Sequence, residues 1–279
     1  MRIQLVPNTD NPRACAAARS LAVDLAADGH VVTATAGDAA GCDAEIAAGI
    51  APDAELVVAL GGDGTILKAA HLLAGADVPI FGINLGRLGF LCGASGDDPL
   101  GAVRAVVAGE ALEVRRVMLR AEATHGGRAA GSHNALNEIF VGRTAGTRAV
   151  EIAVAVDGEP LAQWLCDGIM IATPTGSTAY SLSVGGPLLA PELRAMVVVP
   201  VGAHTLAVRP LVLGPSSHVT LTFPVPARAG ACMLVDGDPT PCRSALERID
   251  VELAAQEIRT LHVDGRSFVA ATRDSFFRG

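Results

Sequence analysis

Residues 55–65 constrain this chain more than any other stretch. Glu55-Leu56-Val57-Val58-Ala59-Leu60 is an apolar run of strand length, and Gly61-Gly62-Asp63-Gly64-Thr65 follows it directly. A helical pattern takes over from Thr65 to about Leu73. A continuous apolar strand that enters a helix through a glycine turn belongs in a parallel sheet with helices on its faces. The flanking sequence agrees. Ile3 to Val6 reads as a buried strand ending at Pro7, and Pro12 to Ala27 as a helix with Leu21 and Leu25 four apart and Gly29 as its stop. Val31-Val32 and Val78 to Ile83 read as further strands.

The texture changes near residue 100. Val114 to Ala123, Ala149 to Val156, Met196 to Val199, Val219 to Phe223 and Cys232 to Val235 are extended, and Asp157-Gly158 is a hairpin signal. The expected layout is an α/β domain with a parallel sheet over 1–100 and a mainly β domain over 101–261. Residues 262–279 are expected to pack back on the first domain. There is no internal repeat and no low-complexity linker.

Composition excludes several classes of function. Half of the 279 residues are hydrophobic, enough for a sizeable core, yet no apolar run approaches the length needed to span a bilayer. The N-terminus lacks the apolar stretch of a secretory signal and reads as a first strand. A net charge of -8 argues against a general nucleic-acid binder, which needs a basic face, but not against a nucleotide site. Cys15, Cys42, Cys92, Cys166, Cys232 and Cys242 form no CxxC and no zinc-like cluster, so reduced thiols in a cytoplasm are expected. Cys166 reads as a small buried side chain.

Two segments carry chemistry. In the turn at 61–65, glycines let a backbone approach a phosphate, and helix N-terminal amides bind anions. Asp63 in its middle can be a general base, reach a phosphate-bound metal, or simply cap the helix. The second segment is Asp167-Gly168-Ile169-Met170-Ile171-Ala172-Thr173-Pro174-Thr175-Gly176-Ser177-Thr178-Ala179-Tyr180, continuing through Ser181, Leu182 and Ser183 to Gly185-Gly186-Pro187. Ile169 to Ala172 reads as a strand that delivers a turn rich in hydroxyls and amides. Tyr180 can stack on a base or pack in the core.

These motifs resemble known families. Gly61-Gly62-Asp63-Gly64-Thr65 is similar to the GGDGT motif of NAD kinases, diacylglycerol-type lipid kinases and sphingosine kinases, and implies ATP-type phosphoryl transfer to a hydroxyl. Residues 167–187 resemble the longer DGxxxxTPTGSTAYxxSxGGP signature of NAD kinases. Asn84-Leu85-Gly86-Arg87-Leu88-Gly89-Phe90-Leu91, Leu136-Asn137-Glu138, and His204-Thr205-Leu206 with Arg209-Pro210 match the same family in the same order.

The resemblance implies an NAD kinase/diacylglycerol kinase-like fold and a cytoplasmic kinase that phosphorylates the adenosine 2′-hydroxyl of NAD. Its donor is ATP or a related phosphoryl donor such as polyphosphate, and its metal a divalent ion, magnesium, with ligands that the sequence does not assign. The β-rich domain is then the NAD-binding one. Asp63 becomes the base, with Gly64 beside it and Lys68 one helical turn on. Asn137 and Glu138 hold the adenosine half, Asp167 faces the nicotinamide half, and Arg148 sits on the strand after the NE motif. Thr178, Ala179, Tyr180, Ser181, Leu182 and Ser183 line the NAD pocket. A homo-oligomer, dimer or tetramer, is expected, with small-molecule partners and neither nucleic acid nor membrane. Two departures stand out. Asp238 replaces the amide of the family's late DGQ, and Leu165 stands where some members carry a basic residue. A lipid kinase lacks the second signature, and a catalytically silent NAD sensor does not need Asp63.

Overall fold

The computed structural model describes residues 1–35, 45–47 as backbone, 49–73, 75–86, 89–144, 146–205, 208–224, 230–240 and 246–277. Cys42, Arg87, Leu88, Leu206 and Cys242, singled out above, lie outside the described residues. The chain forms two compact units, residues 1–116 with 258–279 and residues 117–257.

The first unit runs β1 (Arg2–Pro7), α1 (Pro12–Ala27), β2 (Val31–Thr35), β3 (Glu45–Ala47), β4 (Leu56–Gly61), α2 (Asp63–Leu73), β5 (Ile80–Asn84), β6 (Ala94–Ser95), α3 (Pro99–Val107) and the start of β7 (Leu112–His125). Local chemistry sets the helix ends. Pro12 and Pro99 occupy first turns, where a missing N–H costs nothing, and the side chains of Asn11 and Asp98 accept from the Arg13 and Gly101 amides. Gly29 takes the chain out of α1 at φ +84. Helix α2 starts at Asp63, two residues before the expected Thr65, so Asp63 is the first helical residue.

The strands lie in the order β5-β4-β1-β2-β3, all parallel. Every residue of β4 and β5 is buried, which is why β4 reads as an unbroken apolar run and β5 as one up to Asn84. The chain builds β1, β2 and β3 outward to one side, then returns to place β4 and β5 on the other. The order therefore reverses between β1 and β4, and in open α/β sheets ligands settle in the crevice at such a point.

The second unit contains β8 (Arg128–Ala135), β9 (Glu138–Arg143), β10 (Val150–Val156), β11 (Glu159–Cys166), β12 (Gly168–Ala172), α4 (Tyr180–Ser183), β13 (Met196–Val201), β14 (Leu211–Leu213), β15 (Val219–Thr222), β16 (Ala231–Val235), β17 (Asp238–Pro239) and most of β18 (Leu246–His262). Antiparallel β11-β10-β15-β18 packs Ile152, Val154, Leu221 and Ile249 into one core with Ile139, Val141, Ile169 and Ile171 of the sheet β14-β13-β12-β9-β16-β17. The Asp157-Gly158 hairpin turn is as expected, with φ +52 and +84, both positive as a two-residue I′ turn requires.

The units divide at Arg116 and at Ile258 rather than at 100 and 262. Helix α3 buries Val103 and Val106 in the first core, and the end of β18 pairs in parallel with β5, Thr260 opposite Ile80. The chain finishes with α5 (Phe268–Thr272) and a last turn, Arg273–Phe277, in the first unit. Among the described residues no helix is long and apolar enough to cross a membrane.

Candidate functional site

A cavity of about 280 Å³ occupies the crevice of the first unit. Asn8, Thr9 and Asp10 line it from the end of β1, and Gly62, Gly64, Thr65 and Lys68 from the turn after β4 and the first turns of α2. Gly61 has no alternative, because a Cβ there would collide with the Thr65 hydroxyl. Gly62 and Gly64 are different: a Cβ on either would meet nothing, and neither has a positive φ. The fold does not require glycine at these two positions. What their bareness leaves is backbone open to the cavity beside the N-terminus of α2, with the exposed Lys68 one turn further on, the arrangement that suits phosphate.

Asp63 does not cap its own helix through the bonds its side chain makes. Its Oδ2 accepts the Phe90 N–H at 2.8 Å and its Oδ1 the Leu91 N–H at 3.1 Å. Gly89 comes so close that any side chain there would overlap the carboxylate. Burial, and next the Asp63 carboxylate beside it, push the Cys92 thiol well above its ordinary value. A carboxylate with two oxygens offers about four acceptor positions, so these contacts fix its direction and leave capacity for a substrate hydroxyl.

In the second unit, β9 and β12 pair with Glu138 opposite Ala172 and Gly142 opposite Gly168. At one end, the Asp236 carboxylate accepts three successive backbone amides, Leu136 at 2.8 Å, Asn137 at 2.7 Å and Glu138 at 3.0 Å. Asp236 has φ +49 and Gly237 φ +90, so the tight turn between β16 and β17 aims this side chain. Gly176 lies directly against the Asn137 backbone, where no Cβ fits. Glu138 is buried, and its Oε2 has no hydrogen-bond partner. Burial first, and then Asp236, push its carboxyl up to about 7. Such an acceptor is costly until a ligand donor meets it.

The hydroxyl-rich turn departs from the sequence reading, which left its hydroxyls open. Thr173, Thr175 and Ser177 are buried. The Thr173 hydroxyl donates to Leu136 O at 2.6 Å and accepts from the Gly176 N–H; that of Ser177 donates to Pro174 O. Thr178 donates to Thr175 O. These hydroxyls build the turn and dock it on the 136–137 segment. The exposed groups follow it: Tyr180, its ring 6.1 Å from Phe140, and Ser183. Ala179 and Leu182 are half-buried, and Ser181 is buried with an unpartnered hydroxyl.

At the other end of the β9–β12 pair, Asp167 is ion-paired to Arg143 at 2.6 Å. The pairing spans five residue pairs, so its end pairs are four steps or roughly 13 Å apart at about 3.3 Å per residue, and the Phe140 ring packs over Gly142 and Gly168. Arg148 is exposed in the loop before β10, not on the strand. Asp238 is exposed on β17 and Leu165 on β11; Asp236 bears the contacts of its motif. Cys166 is a buried thiol pushed up to about 11 by burial, as its small-side-chain reading expects.

Sequence reasoning quoted Asp236 only as part of its motif, with attention on Asp238, and missed its contacts, Phe140 and the amides of Phe90 and Leu91. The Asp-Gly pair at 236–237 was a readable turn signal; the partners of its carboxylate, about a hundred residues away, were not. Among the described residues no three His, Cys, Asp or Glu side chains group as a metal site.

Comparison with known proteins agrees with this layout. The ATP-NAD kinase N-terminal domain family matches residues 38–111, and the ATP-NAD kinase C-terminal domain family residues 136–263. The NAD kinase of Methylococcus capsulatus is 38% identical over 224 residues, 80% of this chain and 77% of that protein. That of Nocardia farcinica is 38% identical over 251 residues, 90% and 77%. Two solved structures share the fold. Yeast NADH kinase complexed with NADH has TM-score 0.89 at 23% identity, covering 99% of this chain and 87% of that one. An NAD kinase from Archaeoglobus fulgidus in complex with ATP has TM-score 0.76 at 24% identity, covering 99% and 98%. With both halves of its sequence matched in order, and relatives this similar along most of its length, the chain belongs to the NAD kinase family.

Proposed function

We propose that the chain transfers the γ-phosphoryl group of ATP to the 2′-hydroxyl on the adenosine side of NAD, giving NADP, and that Asp63 is the base. The observation that carries the role of Asp63 is its clamped carboxylate at the head of α2, beside a bare-backbone crevice at the sheet's reversal point. The 2′-oxygen forms the new P–O bond, the bond from the γ-phosphorus to the leaving ADP breaks, and the hydroxyl proton passes to Asp63. Phosphoryl transfer of this kind depends on positioning and charge neutralisation more than on covalent chemistry.

The roles divide by unit. Gly62, Gly64 and Lys68 receive donor phosphates in the crevice. Asn137 and Glu138 hold the adenosine half, and the unmet acceptor of Glu138 supports this reading. Tyr180 stacks on a ring of the dinucleotide, and Ser183 hydrogen-bonds beside it. Asp167 with Arg143 faces the nicotinamide half. Magnesium would enter with the donor's phosphates, as part of that substrate, and would neutralise their charge. The cysteines Cys15, Cys92 and Cys166 are free, buried thiols, which supports a cytoplasmic location. Exposed Leu161 and Leu165 on β11, with Leu211 and Val212 on β14, lie on strands at sheet edges and support assembly into a dimer or tetramer. The test is a coupled NADP-formation assay that crosses NAD and NADH with ATP and polyphosphate. Turnover of NAD with ATP is expected, and its absence would overturn the proposal.

A further inference from the structure

Asp63 is held by two consecutive peptide groups, and each of these is held in turn by an arginine. The Gly89–Phe90 peptide donates its N–H to Asp63, while its carbonyl accepts from the Arg266 guanidinium at 3.2 Å. The Phe90–Leu91 peptide donates its N–H to the other carboxylate oxygen, while its carbonyl faces the buried Arg116 guanidinium at 3.5 Å. A peptide group is planar and stiff, so fixing its carbonyl fixes the direction of its N–H. A donor on the carbonyl also polarises the group and strengthens the bond on the far side.

Residues 268–276 secure this arrangement. Phe276 stacks on Phe90, centroids 5.5 Å apart and planes 18° apart, and Phe268 meets the same ring at 6.2 Å. Asp274 lies 3.6 Å from Arg266, and the two side chains are only 20% and 17% exposed. Phe276 itself is 40% exposed, at the surface end of this arrangement. Its ring contact falls on Phe90, the residue shared by the two peptide groups that orient the carboxylate.

We propose that the segment Arg266–Phe277 is a positioning brace for Asp63, in which Arg266 acts through the Gly89–Phe90 peptide and Phe276 keeps that peptide in place. This rests on the reading of Asp63 as the base. Loosening the brace lets the carboxylate swing while the crevice and the NAD-holding residues stay as they are, so it lowers kcat and spares KM.

The test compares steady-state kinetics and melting temperatures of the wild-type chain with Arg266→Ala, Arg266→Lys, Phe276→Ala, Asp63→Asn and the Arg266→Ala/Asp63→Asn pair. Arg266→Ala is expected to lower kcat at least about tenfold with KM for NAD and ATP within about twofold. Arg266→Lys keeps a donor for the carbonyl and should recover most of kcat. The paired variant should be no slower than Asp63→Asn alone, because both changes remove one function. If Arg266→Ala does not fold, Arg266→Lys and Phe276→Ala carry the test, with Phe276→Ala folded, somewhat lowered in melting temperature, and several-fold slow with KM for NAD and ATP within about twofold. Wild-type kcat in both Arg266→Ala and Phe276→Ala beside a disabled Asp63→Asn would overturn the brace and leave Asp63 as the base. Losses that multiply in the paired variant would also overturn it. Normal turnover in Asp63→Asn would remove both readings.

Discussion

Gly89 has no side chain because Asp63 occupies the space: a Cβ on Gly89 would lie within the Asp63 carboxylate. The two positions are 26 residues apart and act as one feature, with the Phe90 and Leu91 amides completing it. Gly89→Ala should push the carboxylate off its amides. A displacement of this order costs about 100-fold in rate when it moves a catalytic group. The expected result is a large fall in kcat with a smaller change in KM for NAD, measured alongside the melting temperature.

Asp236 should be a structural support of the adenosine-holding segment. Its carboxylate accepts three amides, and bonds to a charged acceptor are worth about 1.5–3 kcal/mol each. Asn tolerates the positive φ at this position but retains one acceptor oxygen in place of two. Asp236→Asn should therefore lower stability by about 1–3 kcal/mol and raise KM for NAD. Denaturant unfolding and initial-rate kinetics check both halves.

Glu138 should make stability depend on pH. Its carboxyl is raised from an ordinary 4.5 to about 7, so between those values the folded chain binds a proton that the unfolded chain has lost. Stability therefore falls as pH rises through that window, by up to about 3 kcal/mol. Glu138→Gln has no such proton to lose. The gap in melting temperature between wild type and Glu138→Gln should move in favour of the variant from pH 4.5 to pH 7 and flatten above it, while KM for NAD worsens. A gap that does not change with pH would mean that Glu138 is ionised throughout.

Much of the fold was legible because its signals are local. The β4 run is uniformly apolar because both sheet faces are covered, and the ends of α1 are marked by Pro12 and Gly29. The Asp157-Gly158 turn declares itself through two residues that accept positive φ. By contrast β8, Arg128–Ala135, is mostly exposed and shows no alternation to read. The site was legible as a list of residues and not as geometry. Nothing in residues 173–178 says that their hydroxyls turn inward to Leu136 and Pro174 rather than toward a ligand. Nothing near Asp63 says that its partners come 27 and 28 residues later.

Tyr180 should contribute binding and not chemistry. Its ring is 47% exposed and touches Phe140, so removing it leaves the core intact. Tyr180→Ala should raise KM for NAD by about tenfold, the effect of losing one stacked ring worth about 1–1.5 kcal/mol, with kcat little changed. Tyr180→Phe keeps the ring and should behave like wild type. A matching loss in Tyr180→Phe would place the hydroxyl, and not the ring, on the substrate.

The most direct test is the turnover of Asp63→Asn in NADP formation, measured with NAD affinity and melting temperature on the same preparation. Asparagine keeps the shape and one acceptor for the amides of Phe90 and Leu91, but it takes no proton from a ribose hydroxyl. Loss of a general base costs roughly a hundredfold to ten-thousandfold in rate. The predicted result is a kcat loss in or above that range with NAD affinity changed much less. Near-normal kcat with a lowered melting temperature would contradict the account, because Asp63 would then be a strut for the 89–91 segment and some other group would take the proton.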